Sequence, residues 1–157
     1  MAMIALVGLL ALFNGGNASK ALTERSHWAD NSTGLAIGGF DPVAYFAVAR
    51  AVRGREGIEH GWNGGGWRFV NDGNRRAFAR DPEVYAPRFG GLDPVLLARG
   101  RRVPGNPRIW MIRDGRLYLF YSAATRQTFA TAGDAVLQRA AAGEPDRPRP
   151  ASASRGR

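Results

Sequence analysis

Residues 62–91, WNGGGWRFVNDGNRRAFARDPEVYAPRFGG, constrain the fold more than any other part of the chain. Asn63-Gly64 is a strong hairpin signal, because both central residues of a type I′ turn need positive φ. Trp67 and Phe69 alternate with Arg68 and Val70, as in a strand with one buried face. Asn71 or Asp72 can cap a helix over 72–80, with Ala77 and Phe78 inward and Arg75, Arg76 and Arg80 in water. Asp81-Pro82 then repeats a helix start, Asp as N-cap and Pro at the first helical position.

The same punctuation occurs at Asp41-Pro42 and Asp93-Pro94, so capping is the expected role of all three aspartates. As a cap alone, Asp93→Ser should change stability by less than roughly 1 kcal/mol and Asp93→Ala by about 1 kcal/mol. Gly100 is expected as the C′ residue of the helix that Asp93 starts. A second hairpin is expected from strands over 109–113 and 116–121, joined at Asp114-Gly115. Ser122 caps a further helix, Gly133-Asp134 breaks it, and 135–142 forms the last one. Strands and helices do not alternate as in a parallel sheet, and no repeat of 20–50 residues stands out. The class is therefore α+β, with two antiparallel hairpins and several short helices.

Residues 1–18 are apolar or small and carry no charged side chain. The apolar run of 1–13 is too short to span a bilayer, which takes roughly 20 residues. With Gly16-Asn17-Ala18 behind it, the segment reads as a signal peptide, so the protein is expected to be exported, periplasmic or membrane-associated. Residues 19–35 read as a linker, 36–142 as the domain, and the Pro- and Arg-rich 143–157 as a disordered tail.

The formal charge of +9 comes almost entirely from arginine, since Lys20 is the only lysine. Such a balance favours acidic partners. Arg50, Arg53 and Arg55 in one loop, and Arg99, Arg101 and Arg102 in another, are the candidate partner-binding residues. An envelope or membrane-associated protein is the expected partner and an anionic lipid surface a further candidate. Nucleic acid is not expected, because no reading motif accompanies the arginines.

Chemistry is limited by what is missing. The chain has no cysteine, hence no disulfide, thiolate metal site or Cys nucleophile. Two histidines, His27 and His60, fall short of the three or four convergent ligands a metal site takes. No spacing joins His60 to Asp93 or Glu59 as an acid–base pair. Gly64-Gly65-Gly66 is explained by a turn rather than a phosphate cradle. No catalytic residue, metal or cofactor is expected.

Several blocks resemble the YHS domain family in its small exported form. They are the run AIGGFDPVAYF at 36–46, Trp62-Asn63-Gly64 with Trp67-Arg68-Phe69, Asn74-Arg75 with Ala77-Phe78-Ala79, DPEVYAPRFGG at 81–91, Pro104-Gly105-Asn106-Pro107, Trp110, and DGRLYLFY at 114–121. The resemblance covers about residues 36–140. It implies a small α+β module related to treble-clef metal modules, and a motif core of Asp41, Pro42, Tyr45, Trp62, Trp67, Phe78, Tyr85, Gly90, Gly91, Trp110 and Tyr118. Where such proteins commonly carry Tyr-Cys-Ala after the Gly-Gly pair, this chain has Leu92-Asp93-Pro94. Where metal-linked relatives continue Asp-Pro-Val with Cys, it has Ala44. The expectation is a non-enzymatic binding or accessory module. The alternative is a metal-handling or enzymatic member that keeps an activity without the Cys.

Overall fold

A computed structural model describes residues 33–142. The apolar segment at 1–18, most of the linker with His27, and the tail at 143–157 lie outside the described residues.

Two antiparallel hairpins form the frame. Strands β1 (Arg55–Trp62) and β2 (Gly65–Phe69) make the first, β3 (Asn106–Arg113) and β4 (Arg116–Phe120) the second. Asn63-Gly64 and Asp114-Gly115 close them with positive φ at both residues of each turn, as a type I′ turn requires. The helices are α1 (Ala44–Ala47), α2 (Asp72–Arg80), α3 (Pro82–Tyr85), α4 (Pro94–Leu97) and α5 (Ala123–Ala142). The α+β class with two hairpins and short helices is the one expected from the sequence.

The described residues repeat one frame twice. A 3₁₀ turn at Ile37–Gly39 holds Ile37, Gly38 and Gly39 at φ of 44°, 62° and 74°; Phe89, Gly90 and Gly91 repeat this at 54°, 65° and 74°. Asp41 follows the first turn and Asp93 the second, 52 positions on (41 to 93). The Asp41 N–H donates to Val52 and the Asp93 N–H to Val103, while Gly54 donates to Gly39 and Gly105 to Gly91. Both hairpins carry the same irregularity: Arg55 pairs with Phe69 but Glu59 with Arg68, and Asn106 pairs with Phe120 but Trp110 with Leu119. The offset, 52 at Asp93 and 51 at Gly105, lies just outside the 20–50-residue range in which the sequence showed no repeat.

The two aspartates are fully buried and do more than cap. Asp41 Oδ1 accepts from the N–H groups of Val43 (2.8 Å) and Ala44 (3.2 Å), and Oδ2 accepts from Val70 N–H (2.8 Å) and Asn74 Nδ2 (2.7 Å). Asp93 Oδ1 accepts from Val95 (2.8 Å) and Leu96 (3.0 Å), and Oδ2 from Tyr121 N–H (2.7 Å). Each carboxylate thus ties a helix start to the end of its hairpin's second strand. The expectation that Asp93→Ser would be nearly neutral is revised, because one hydroxyl cannot reach both the helix and Tyr121. Asp81 differs again: it is exposed, its side chain makes no cap hydrogen bond, and its N–H closes α2 on Ala77.

Two further expectations shift. Gly100, at φ 74°, lies beyond the C-cap Ala98 of α4 rather than directly after the helix. The break expected at Gly133-Asp134 falls one residue earlier: Ala132 leaves helical φ/ψ (−127°, 28°), and α5 is two helical pieces joined across that kink. Phe129 before the kink and Gly133, Val136 and Ala140 after it are all buried, so both pieces of α5 turn an apolar stripe to the core. The missing Cβ of Gly133 leaves the space occupied by the Arg113 guanidinium, which pairs with Asp134 at 2.7 Å.

The core has two clusters, and β4 lies between them. Leu117 and Leu119 join Ala36, Ile37, Tyr45, Trp67, Phe69 and Phe78. Tyr118 and Phe120 join Phe89, Leu92, Val95, Phe129 and Val136 on the other side. In each half a helix phenylalanine packs on the second strand: Phe78 lies 4.9 Å from Trp67 and 5.3 Å from Phe69, and Phe129 lies 4.8 Å from Tyr118 and 5.2 Å from Phe120.

Tyr45 joins the halves. Its hydroxyl donates to the Pro107 carbonyl at 2.8 Å and its ring meets Trp110 edge-on at 5.2 Å. Burial, then the nearby Asp41 carboxylate, raise its pKa far above the ordinary tyrosine value; burial raises that of Tyr118 as well. In the unfolded chain tyrosine ionises near pH 10. Above that pH the unfolded state has released protons that the folded state retains, so stability falls as pH rises. Urea unfolding at stepped pH should show this loss beginning near pH 10, with a shallower slope in Tyr45→Phe.

Candidate functional site

The six arginines expected to bind a partner are all exposed. Five of them lie on the two loops that the repeat makes equivalent, each closing onto a buried aspartate through the Val52 or Val103 carbonyl; Arg55, expected in the first loop, is instead the first residue of β1, paired with Phe69. The four side-chain ion pairs among the described residues use Arg68, Arg75 and Arg113, and none of the six. Arg53 is partly held: Nη1 donates to the Gly38 carbonyl at 3.1 Å, and its guanidinium stands over the Phe40 ring at 4.8 Å. Arg108 faces the same ring at 5.9 Å. The residue lies in the widened part of the second hairpin, and the sequence reading missed it because it belongs to neither arginine-rich loop.

Two clefts adjoin these cations. The first, of about 400 Å³, is lined by Ala44, Ala47, Val48, Val52 and Val70, with Arg53 and Arg55 among its walls and Asn71 and Asn74 at the start of α2. The second, of about 500 Å³, runs along Arg108, Ile109, Trp110, Met111 and Ile112 and is flanked by Ala123 and Arg126 of α5. Sequence reasoning found neither. The walls come from segments far apart in the chain, and the only linear hints were the short apolar runs after Asp41-Pro42 and at 109–112.

The remaining motif residues serve packing. Asp41, Pro42, Tyr45, Trp67, Phe78, Gly90, Gly91 and Tyr118 are buried, and Trp62, Tyr85 and Trp110 half-buried. Trp62 packs against both Trp67 and Phe78, at 5.8 Å from each. Tyr85 meets Phe46 edge-on at 5.5 Å.

No reacting constellation forms from the imagined acid–base groups. His60 pairs with Trp67 across the hairpin and its ring lies 6.2 Å from Phe78. Glu59 binds Arg68 at 2.6 Å. The Asp93 oxygens are occupied by three backbone N–H groups. Among the described residues no three His, Asp or Glu side chains converge on a point where a metal ion could sit. Among the same residues no helix is long and apolar enough to cross a membrane.

Compared with family models, curated proteins and solved structures, the chain matches none of them.

Proposed function

We propose that this chain is a YHS-like module that works by binding rather than catalysis, as an exported accessory protein. It engages an acidic envelope or membrane-associated protein through the basic loops at 50–55 and 99–102. The observation that carries this reading is the set of exposed arginines without an acidic partner among the described residues, on two loops that the repeated frame holds by matching backbone hydrogen bonds. Exposed cations of this kind raise encounter rates with acidic surfaces and set specificity more than affinity. The buried aspartates are consumed in holding each helix to its strand, while the rim arginines have no ion pair among the described residues.

The test is purification of the full chain from its own membranes in mild detergent at low salt, with mass spectrometry of what accompanies it. The expected result is a stoichiometric acidic protein released as salt is raised, because exposed charge contacts are screened over a Debye length of about 10 Å at 0.1 M. A lone protein at low salt contradicts the reading.

A further inference from the structure

The two halves of the chain serve as controls for one another. Residues that both halves share at equivalent positions show what the frame requires: Asp41 and Asp93, Gly54 and Gly105, Phe69 and Phe120, Phe78 and Phe129. Residues that differ at equivalent positions are free of that requirement. Around the first cleft they differ sharply. Arg53 corresponds to Pro104, Arg55 to Asn106, Val70 to Tyr121 and Asn74 to Thr125. Thr125 is engaged locally, through its hydroxyl on the Ser122 carbonyl at 3.0 Å. Asn74 gives one amide hydrogen to Asp41 and keeps its other amide hydrogen and its carbonyl oxygen without partners among the described residues.

The first cleft combines three features. Its walls are apolar (Ala44, Ala47, Val48, Val52, Val70), and Val48 leaves 56% of its surface in water. Arg53 and Arg55 bring positive charge with no acidic partner among the described residues. Asn74 adds hydrogen-bonding capacity next to the apolar walls. Its volume of about 400 Å³ falls in the range of small-molecule sites, which join apolar walls to a few convergent polar groups.

We propose that this cleft is a binding site for a small amphiphilic carboxylate, an unbranched apolar chain ending in a carboxyl group. The chain lies against Val48, Val52 and Val70, and the carboxylate meets Arg55 and Arg53. Arg55 is the main anion contact, because Arg53 already spends one N–H on the Gly38 carbonyl. The site goes beyond partner binding by the loops and is read separately: it is titrated on the purified chain alone, and it does not involve the loop at 99–102.

The experiment is calorimetric titration of the full chain with decanoate and, in parallel, with decanol. Saturable one-site binding of decanoate is expected, with decanol at least about tenfold weaker, the difference a charge-assisted contact confers. Arg55→Gln should weaken decanoate about tenfold and leave decanol unchanged, since Arg55 is exposed and unpaired among the described residues. Ala47→Trp, at an exposed wall position, should abolish both. No saturable binding, equal affinity for the acid and the alcohol, or decanoate binding indifferent to Arg55→Gln would each overturn the proposal.

Discussion

Replacing Asp41 with alanine is expected to cost about 3–5 kcal/mol, and Asp93→Ala slightly less, in the range of losing one partner from a buried charged network. A domain of this size has a total stability of about 5–15 kcal/mol, so either change brings the chain close to unfolding. The cause is the number of donors left without an acceptor: four at Asp41 and three at Asp93. The sharper variant is Asp→Asn, which keeps shape. Its amide would turn a donor toward the Val70 or Tyr121 N–H, and the expected loss is about 2–4 kcal/mol. Asp81→Asn is the internal control, because Asp81 is exposed and its side chain caps nothing; its effect should stay within about 0.5 kcal/mol. Urea denaturation of the three Asn variants reads the difference directly. Equal, small effects at all three positions would refute the role assigned to the buried carboxylates.

Gly54→Ala and Gly105→Ala should each destabilise by about 3 kcal/mol, at the upper end of overpacking effects. A Cβ on Gly54 would meet the Arg68 backbone and come within 2.6 Å of Phe69 N; one on Gly105 would lie 2.5 Å from Leu119 Cβ and 2.6 Å from its carbonyl carbon. The obstacles are strand backbone, which cannot turn aside as a side-chain tip can. Each glycine also donates to the 3₁₀ turn before its aspartate, through Gly39 or Gly91, so displacement would loosen the aspartate's surroundings as well. Gly61→Ala is the contrasting case, with nothing within 4 Å of the added Cβ and no positive φ. It should be neutral, or stabilising by about 0.5 kcal/mol through the unfolded chain. Thermal unfolding of the three variants separates the cases, and a mild Gly105→Ala would contradict the close crossing at Leu119.

Much of the frame was legible because it is written in local chemistry. Asn63-Gly64 and Asp114-Gly115 specify their turns by needing positive φ, and Asn71 and Ser122 accept from the third residue of the helix each begins. The repeat was legible in part: Gly38-Gly39-Phe40-Asp41-Pro42-Val43 returns as Gly90-Gly91-Leu92-Asp93-Pro94-Val95. It escaped notice because its length falls just past 50 residues and the hairpins share geometry rather than identity, Trp67 standing where Tyr118 does. What local chemistry could not carry is tertiary. Asp41, Asp81 and Asp93 look alike in sequence, and only the return of a strand end to two of them makes those two buried. The run at 117–120 gave no alternation, because Leu117 and Leu119 face one cluster and Tyr118 and Phe120 the other. Both clefts were invisible for the same reason, since their walls meet only after folding. The six arginines were legible as exposed charge, while the role of Arg55 in a cleft depended on Val52 and Val70 arriving beside it.

The central claim is that function resides in the exposed arginines and not in the buried carboxylates. The most direct measurement compares the full chain with a variant carrying glutamine at Arg50, Arg53, Arg55, Arg99, Arg101 and Arg102. Retention of the membrane-derived partner at low salt and the unfolding midpoint are read on the same preparations. The account predicts a midpoint within a few degrees of the unaltered chain, since exposed charges without an ion pair among the described residues contribute little to stability and only Arg53 is held, by the Gly38 carbonyl and the Phe40 ring, together with loss of the partner. A variant that folds equally well and still retains a stoichiometric partner would contradict it.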